Sequence, residues 1–166
     1  MSQEAREHVG KGLDLLKEGL TPFVEARLES KLTSHWKFKV SDRIPSIENL
    51  AEDGEIFWDA YFLLKTMMIF WKEAFNDLKN PARSYVGEVF AVRNNWAHQQ
   101  NFTHDDADRA IDTMRRLLEI VGKKETVMKE VIEELNRLQE KMKPAVPGED
   151  DSASPVHWKS YDLQVR

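Results

Sequence analysis

The residues best suited to chemistry in this chain are Arg93, Asn94 and His98, inside the run RNNWAH at 93–98. At about 100° per residue, Val86, Val89, Phe90, Val92, Trp96 and Ala97 form one apolar arc of a helix, and Arg93 falls inside it. An arginine among core residues is costly unless it is paired, at an interface, or engaged in function. Asn94 and His98 are four residues apart and stack on one edge of the arc. A guanidinium forks onto phosphate oxygens. An imidazole, with an unperturbed pKa of about 6.5, gives and takes protons near neutrality. Side by side, these groups point to chemistry at a phosphate.

Each of these residues also has a purely structural alternative. Arg93 can pair with an acid such as Asp106 or Asp108. His98 can be a helix-end histidine favoured by the helix dipole. Trp96 fits a core or a dimer interface better than a base-stacking platform. His104, beside Asp105 at a helix start, reads as surface. His8, His35 and His157 are isolated, and no pair has metal-ligand spacing. The 7 glycines are scattered, so no phosphate-cradling loop exists, and neither GxSxG nor HExxH occurs. Neither a metal nor a cofactor is expected.

The elements that must hold the motif read as helices throughout. A first helix is expected from about Ser2 to Leu32, with Val9, Leu13, Leu16 and Leu20 at helical spacing. Thr21-Pro22 reads as an interruption, Thr as N-cap and Pro at the first helical position, with Phe23, Val24 and Leu28 carrying the stripe onward. A loop follows over 33–46, within which WKFKV alternates like a short strand without a clear partner. A second long helix over 55–78 carries Phe57, Tyr61, Leu64, Met68, Trp71 and Phe75 on one face, and is expected to be the central one. Asn80-Pro81 caps the motif helix, which should end near Gln100. Thr103 with Asp106 resembles a capping box with Asp in place of Glu. It opens a helix that Gly122 ends. A last helix over 124–143 sets Met128, Val131, Leu135, Leu138 and Met142 at heptad spacing. Packing on its own domain and contact with a partner are equally good readings of that seam. The tail PAVPGEDDSASP reads as a linker, ahead of Trp158, Tyr161 and Leu163.

Length and composition bound the rest. A chain of 166 residues, 41% apolar, is expected to be one domain plus a tail. Zero cysteines exclude disulfides and thiolate metal sites and fit a reducing compartment. No stretch approaches the ~20 apolar residues of a membrane span, and MSQEAREH lacks the apolar core of a signal peptide. The expectation is a cytoplasmic protein with no membrane contact. The net charge of −5 argues against a general nucleic-acid coat protein. Between 80 and 121, five basic residues face six acidic ones, so any RNA contact must be local.

With its polar residue after the arginine and its histidine five positions on, Arg93-Asn94-x3-His98 resembles the hallmark of the HEPN superfamily, the higher eukaryote and prokaryote nucleotide-binding domains. The run VRNNWAHQQNFTHDDADRAIDTMRRLLEIV is similar to one HEPN branch. That branch occurs in a nuclear RNA-surveillance endoribonuclease and at the N-terminus of large bacterial ATPase proteins. GLDLLKEGLTPFVEARL fits the same branch, and the resemblance spans roughly residues 7–122. It implies an all-α fold, an up-and-down bundle of four to six helices, as residues 1–122. The heptad helix 123–143 and a flexible tail 144–166 follow.

The resemblance further implies a homodimer through the motif helix, each chain supplying half of a composite site. Active members cut RNA without metal. On that pattern Arg93, Asn94 and His98 are the catalytic residues. The two His98 side chains of a dimer share the base and acid roles, Arg93 braces the phosphorane, and the product is a 2′,3′-cyclic phosphate. Defence and RNA quality control are the expected settings. Gln100 stands where some HEPN toxins carry a tyrosine, so modification of a motif tyrosine is not implied. The alternative is a catalytically inactive dimerisation or RNA-sensing module, joined to a further domain or protein through the C-terminal helix and tail. The intact motif favours the first reading, and the acidic composition favours the second.

Overall fold

The structure is a computed structural model that describes residues 3–45, 54–122 and 126–141. Among these residues lie six α-helices, one π-helical turn and no β-strand, a helical bundle as expected. The helices are α1 (Gln3–Leu32), α2 (Trp36–Arg43), α3 (Ala60–Ile69), α4 (Ala82–Ala97), α5 (His104–Gly122) and α6 (Thr126–Lys141). The π-helical turn, Trp71–Phe75, follows α3.

The central element is α1, not the 55–78 segment. Its 30 residues make a rod about 45 Å long, and it touches every other helix and the π-turn. Its buried stripe runs unbroken through Leu13, Leu16, Leu20, Val24 and Leu28. Thr21-Pro22 therefore does not interrupt it. Proline removes one i→i−4 bond, and the Thr21 hydroxyl instead donates to the Lys17 carbonyl at 2.7 Å, inside a continuous helix. Gly19 lets α5 and α6 close on α1. A Cβ there would lie 3.3 Å from Leu118, Met128 and Val131.

The WKFKV segment is helical rather than a strand. Trp36 and Val40, one turn apart, are its buried residues in α2. Five alternating residues fit either period, and the i, i+4 pair meets the core. The 55–78 segment is shorter and broken. α3 starts only at Ala60, where Asp59 caps it by accepting the Phe62 amide at 2.7 Å. Phe57 thus precedes the helix and is 62% exposed instead of lying on a core face. Past Phe70 the helix widens into the π-turn, which brings Trp71, Ala74 and Phe75 into the core.

Thr103 and Asp106 form the expected capping box. Each backbone amide donates to the other's side chain at 3.0 Å, and both residues are buried. In α6, Met128, Val131, Leu135 and Leu138 are buried, and the helix packs on α1 and α5. The heptad seam is thus spent within the chain. Met142 and the tail, with Trp158, Tyr161 and Leu163, lie outside the described residues. No described helix is long and apolar enough to cross a membrane.

Candidate functional site

Helix α4 is held from two sides. Toward α5, Glu88 accepts from Arg109 Nε at 2.7 Å and from the Thr113 hydroxyl at 2.9 Å. A second charge cluster stiffens α5 itself. Desolvation opposes the charged form of Asp112, but hydrogen bonds from Arg116 and Arg115 outweigh it and hold the carboxyl below the usual aspartate range. Toward α3, α4 buries Val86, Val89 and Phe90, with the Tyr61 and Phe90 ring centroids 5.3 Å apart. Burial extends further around α4 than the predicted arc, to Ala91 and Asn95, while Ala97 at the end of the arc is exposed. What remains accessible is a stripe interrupted by the buried Phe90 and Ala91: exposed Arg83, Ala97 and His98, with Gly87 and Asn94 half-buried.

Arg93 lies beside this stripe, half-buried, with its guanidinium 4.8 Å from the centre of the Tyr61 ring. Among the described residues no carboxylate pairs with it and no hydrogen bond engages it. Neither Asp106 nor Asp108 pairs with Arg93, and Asp106 accepts the Thr103 amide in the capping box. The purely structural pairing foreseen for Arg93 is not made. A cation resting on an aromatic face keeps its N–H donors for a ligand. Tyr61 was not legible as a site residue. Its place on a helical apolar stripe marks it as core, and the cation above it comes from another helix.

Asn94 is half-buried, and its carbonyl accepts the His98 amide at 3.0 Å. His98 is exposed and occupies the C-cap of α4. Helix α4 therefore ends at Ala97, short of Gln100. Its termination is a Schellman motif. Gln99 donates to Trp96 O at 3.1 Å and Gln100 to Asn95 O at 2.9 Å. The residue after the cap, Gln99, has φ 57, the left-handed region that glycine normally fills. Asn80 lends α4 no side-chain cap; Pro81 is the residue before its first turn.

Two neighbours complete the motif. Trp96 is half-buried against α1, where an added Cβ on Gly10 would meet the indole Nε1 at 3.1 Å. Asn95 is fully buried, and neither of its side-chain amide atoms has a hydrogen-bond partner in the protein. Its position, four residues after Ala91 and three after Val92, marks it as inward-facing on a helical wheel. His104 is half-buried rather than fully on the surface.

The site is an open surface, not a cavity. A cleft of about 930 Å³ exists elsewhere, among Phe23, Leu78, Tyr85, Arg116 and Val121, and no motif residue lines it. Among the described residues no three His, Asp or Glu side chains gather as a metal site. An exposed histidine, a guanidinium with free donors and an asparagine along one helix end can engage a phosphodiester that bridges the surface. A single copy offers one histidine to do so.

A family model described as Swt1-like HEPN matches residues 11–122, which include α4 and all three candidate residues. No curated protein and no solved structure matches the chain.

Proposed function

This chain belongs to the Swt1-like HEPN family, and on that premise we propose that it acts as a homodimeric, metal-independent endoribonuclease. HEPN domains commonly have ribonuclease activity. The observation that carries the proposal is Arg93, a half-buried guanidinium on Tyr61 with no carboxylate partner among the described residues, at the same helix end as the exposed His98.

In the proposed dimer the open stripes of two α4 helices face each other about a two-fold axis, an isologous contact. One His98 takes the proton of an RNA 2′-hydroxyl. The 2′-oxygen attacks phosphorus, the bond from phosphorus to the 5′-oxygen breaks, and the partner's His98 protonates that oxygen. Arg93 from each chain neutralises charge on the phosphorane oxygens, and Asn94 orients the phosphate. The products are a 2′,3′-cyclic phosphate and a 5′-hydroxyl. We assign this activity to the cytoplasm, in defence or RNA quality control.

The test is cleavage of single-stranded RNA, including tRNA, by wild type and His98→Ala, in EDTA. Removing one acid–base function lowers the rate by about 10²–10⁴-fold, so His98→Ala should lose detectable cleavage and keep its helix content and dimer. Equal cleavage by the two proteins refutes the mechanism. The net charge of −5 supports a second reading, an inactive dimerisation or RNA-sensing module of a larger assembly. A dimer that binds RNA and cuts none decides for it.

A further inference from the structure

The first two turns of α1 lie outside the family match, which begins at residue 11, yet they reach the end of α4. Arg6 Nη1 donates to the Trp96 carbonyl at 2.6 Å. Its guanidinium carbon sits 5.1 Å from the centre of the Trp96 ring. Gly10, one turn along, gives the indole room to lie against α1. We propose that Arg6 is a positioning residue for His98, so that the functional site includes the start of α1. The proposal rests on the endoribonuclease reading for its catalytic consequence, though not for its structural content.

The argument begins with the carbonyl. Trp96 O is one of the last four of α4, which have no helical partner of their own. It accepts from Gln99 at 3.1 Å and from Arg6, so one atom ties the left-handed turn to α1. That turn encloses Ala97 and His98. A glutamine holds a left-handed conformation only at a cost that glycine does not have, so the local sequence is a weak guarantor of this geometry. An external cation is well placed to supply the rest. It complements the negative end of the helix dipole, and the planar guanidinium both donates to the carbonyl and stacks on the indole. His98 is exposed, so the turn sets its direction.

Amide hydrogen exchange and RNA cleavage, measured on wild type, Arg6→Ala and Arg6→Lys, test this. In Arg6→Ala, exchange at Gln99 and Gln100 should quicken about tenfold or more, with Val92 unchanged. For cleavage, kcat should fall about tenfold or more, with KM for single-stranded RNA within about twofold, because a displacement of ~1 Å costs up to about 10²-fold. Arg6→Lys keeps the charge and a donor and should recover most of both. Unchanged exchange in Arg6→Ala overturns the proposal. Faster exchange with unchanged kcat makes Arg6 a helix cap alone and overturns its link to His98. If wild type cuts no RNA, the endoribonuclease reading falls, and the exchange result alone decides whether Arg6 sets the turn. If Arg6→Ala fails to fold, Arg6→Gln, which keeps a donor without the charge, is read in the same way.

Discussion

Arg93 of α4 rests on the face of Tyr61 of α3, 4.8 Å from the ring centre. The contact orients a guanidinium without spending its N–H groups. An aspartate in the place of Tyr61 would hold the arginine as firmly, but would neutralise it and occupy its donors. The same ring lies against Phe90, over which Lys65 Nζ sits at 5.8 Å. Two cations therefore share one aromatic pair beside the open stripe of α4.

Tyr61→Leu should weaken cleavage without abolishing it. A partly exposed cation–π contact contributes about 0.5–1 kcal/mol, so the rate should drop by roughly two- to fivefold. Tyr61→Phe, which keeps the ring, should stay within about twofold of wild type. A loss in Tyr61→Phe as large as that of His98→Ala would show that the hydroxyl, not the ring face, is what matters.

Gln99→Gly should stabilise the protein. The left-handed conformation costs an ordinary residue about 1–2 kcal/mol, offset by the ~0.4–1 kcal/mol of extra freedom that glycine has when unfolded. The net gain of about 0.5–1 kcal/mol is a rise in Tm of roughly 1–4 °C for a chain of this size. Gln99→Ala, bound to the same φ of 57, should give no rise. Differential scanning calorimetry of the three proteins decides it.

Asn95→Leu is expected to be neutral or stabilising. A buried polar group without a partner costs about 1–3 kcal/mol, and an apolar group of similar size removes that cost. Urea unfolding would measure it. A destabilisation of about 1 kcal/mol or more would mean that a buried water bonds the amide, as polar cavities often require.

Acid should weaken the α5 charge cluster. The folded carboxyl of Asp112 lies below its ordinary value because hydrogen bonds from Arg116 and Arg115 outweigh desolvation. A lowered folded pKa gives stability that is fully present above the unfolded value, about 3.9. It is lost as pH falls through the folded one. Asp112→Asn should therefore have a lower Tm than wild type at pH 7, and the gap should narrow as pH drops below about 4. A gap that is constant with pH would assign the effect to packing.

The sequence showed most clearly what is written in local spacing. The Thr103–Asp106 box is legible because both partners lie three residues apart and both acceptors are side chains. The α4 motif is legible because Arg93, Asn94 and His98 fall within two turns. What stayed hidden depends on contacts distant in the chain. α2 looked like a strand because Trp36, Phe38 and Val40 also fit a period of two, and only the buried Trp36–Val40 pair selects the helix. The start of α3 turned on Asp59, whose capping role competes with an apolar run that begins before it. Arg6 and Tyr61 became visible only once α1 and α3 were set against α4.

The hub position of α1 bears on the order in which this protein is made. α1 leaves a ribosome before α5 and α6, against which it packs. Its buried stripe waits, unpaired with them, until Leu138 has been added. Contacts so distant in the chain are slow to form because a long loop must close first. α1, which holds the Trp96 carbonyl through Arg6, thus lacks part of its packing until α6 has been made.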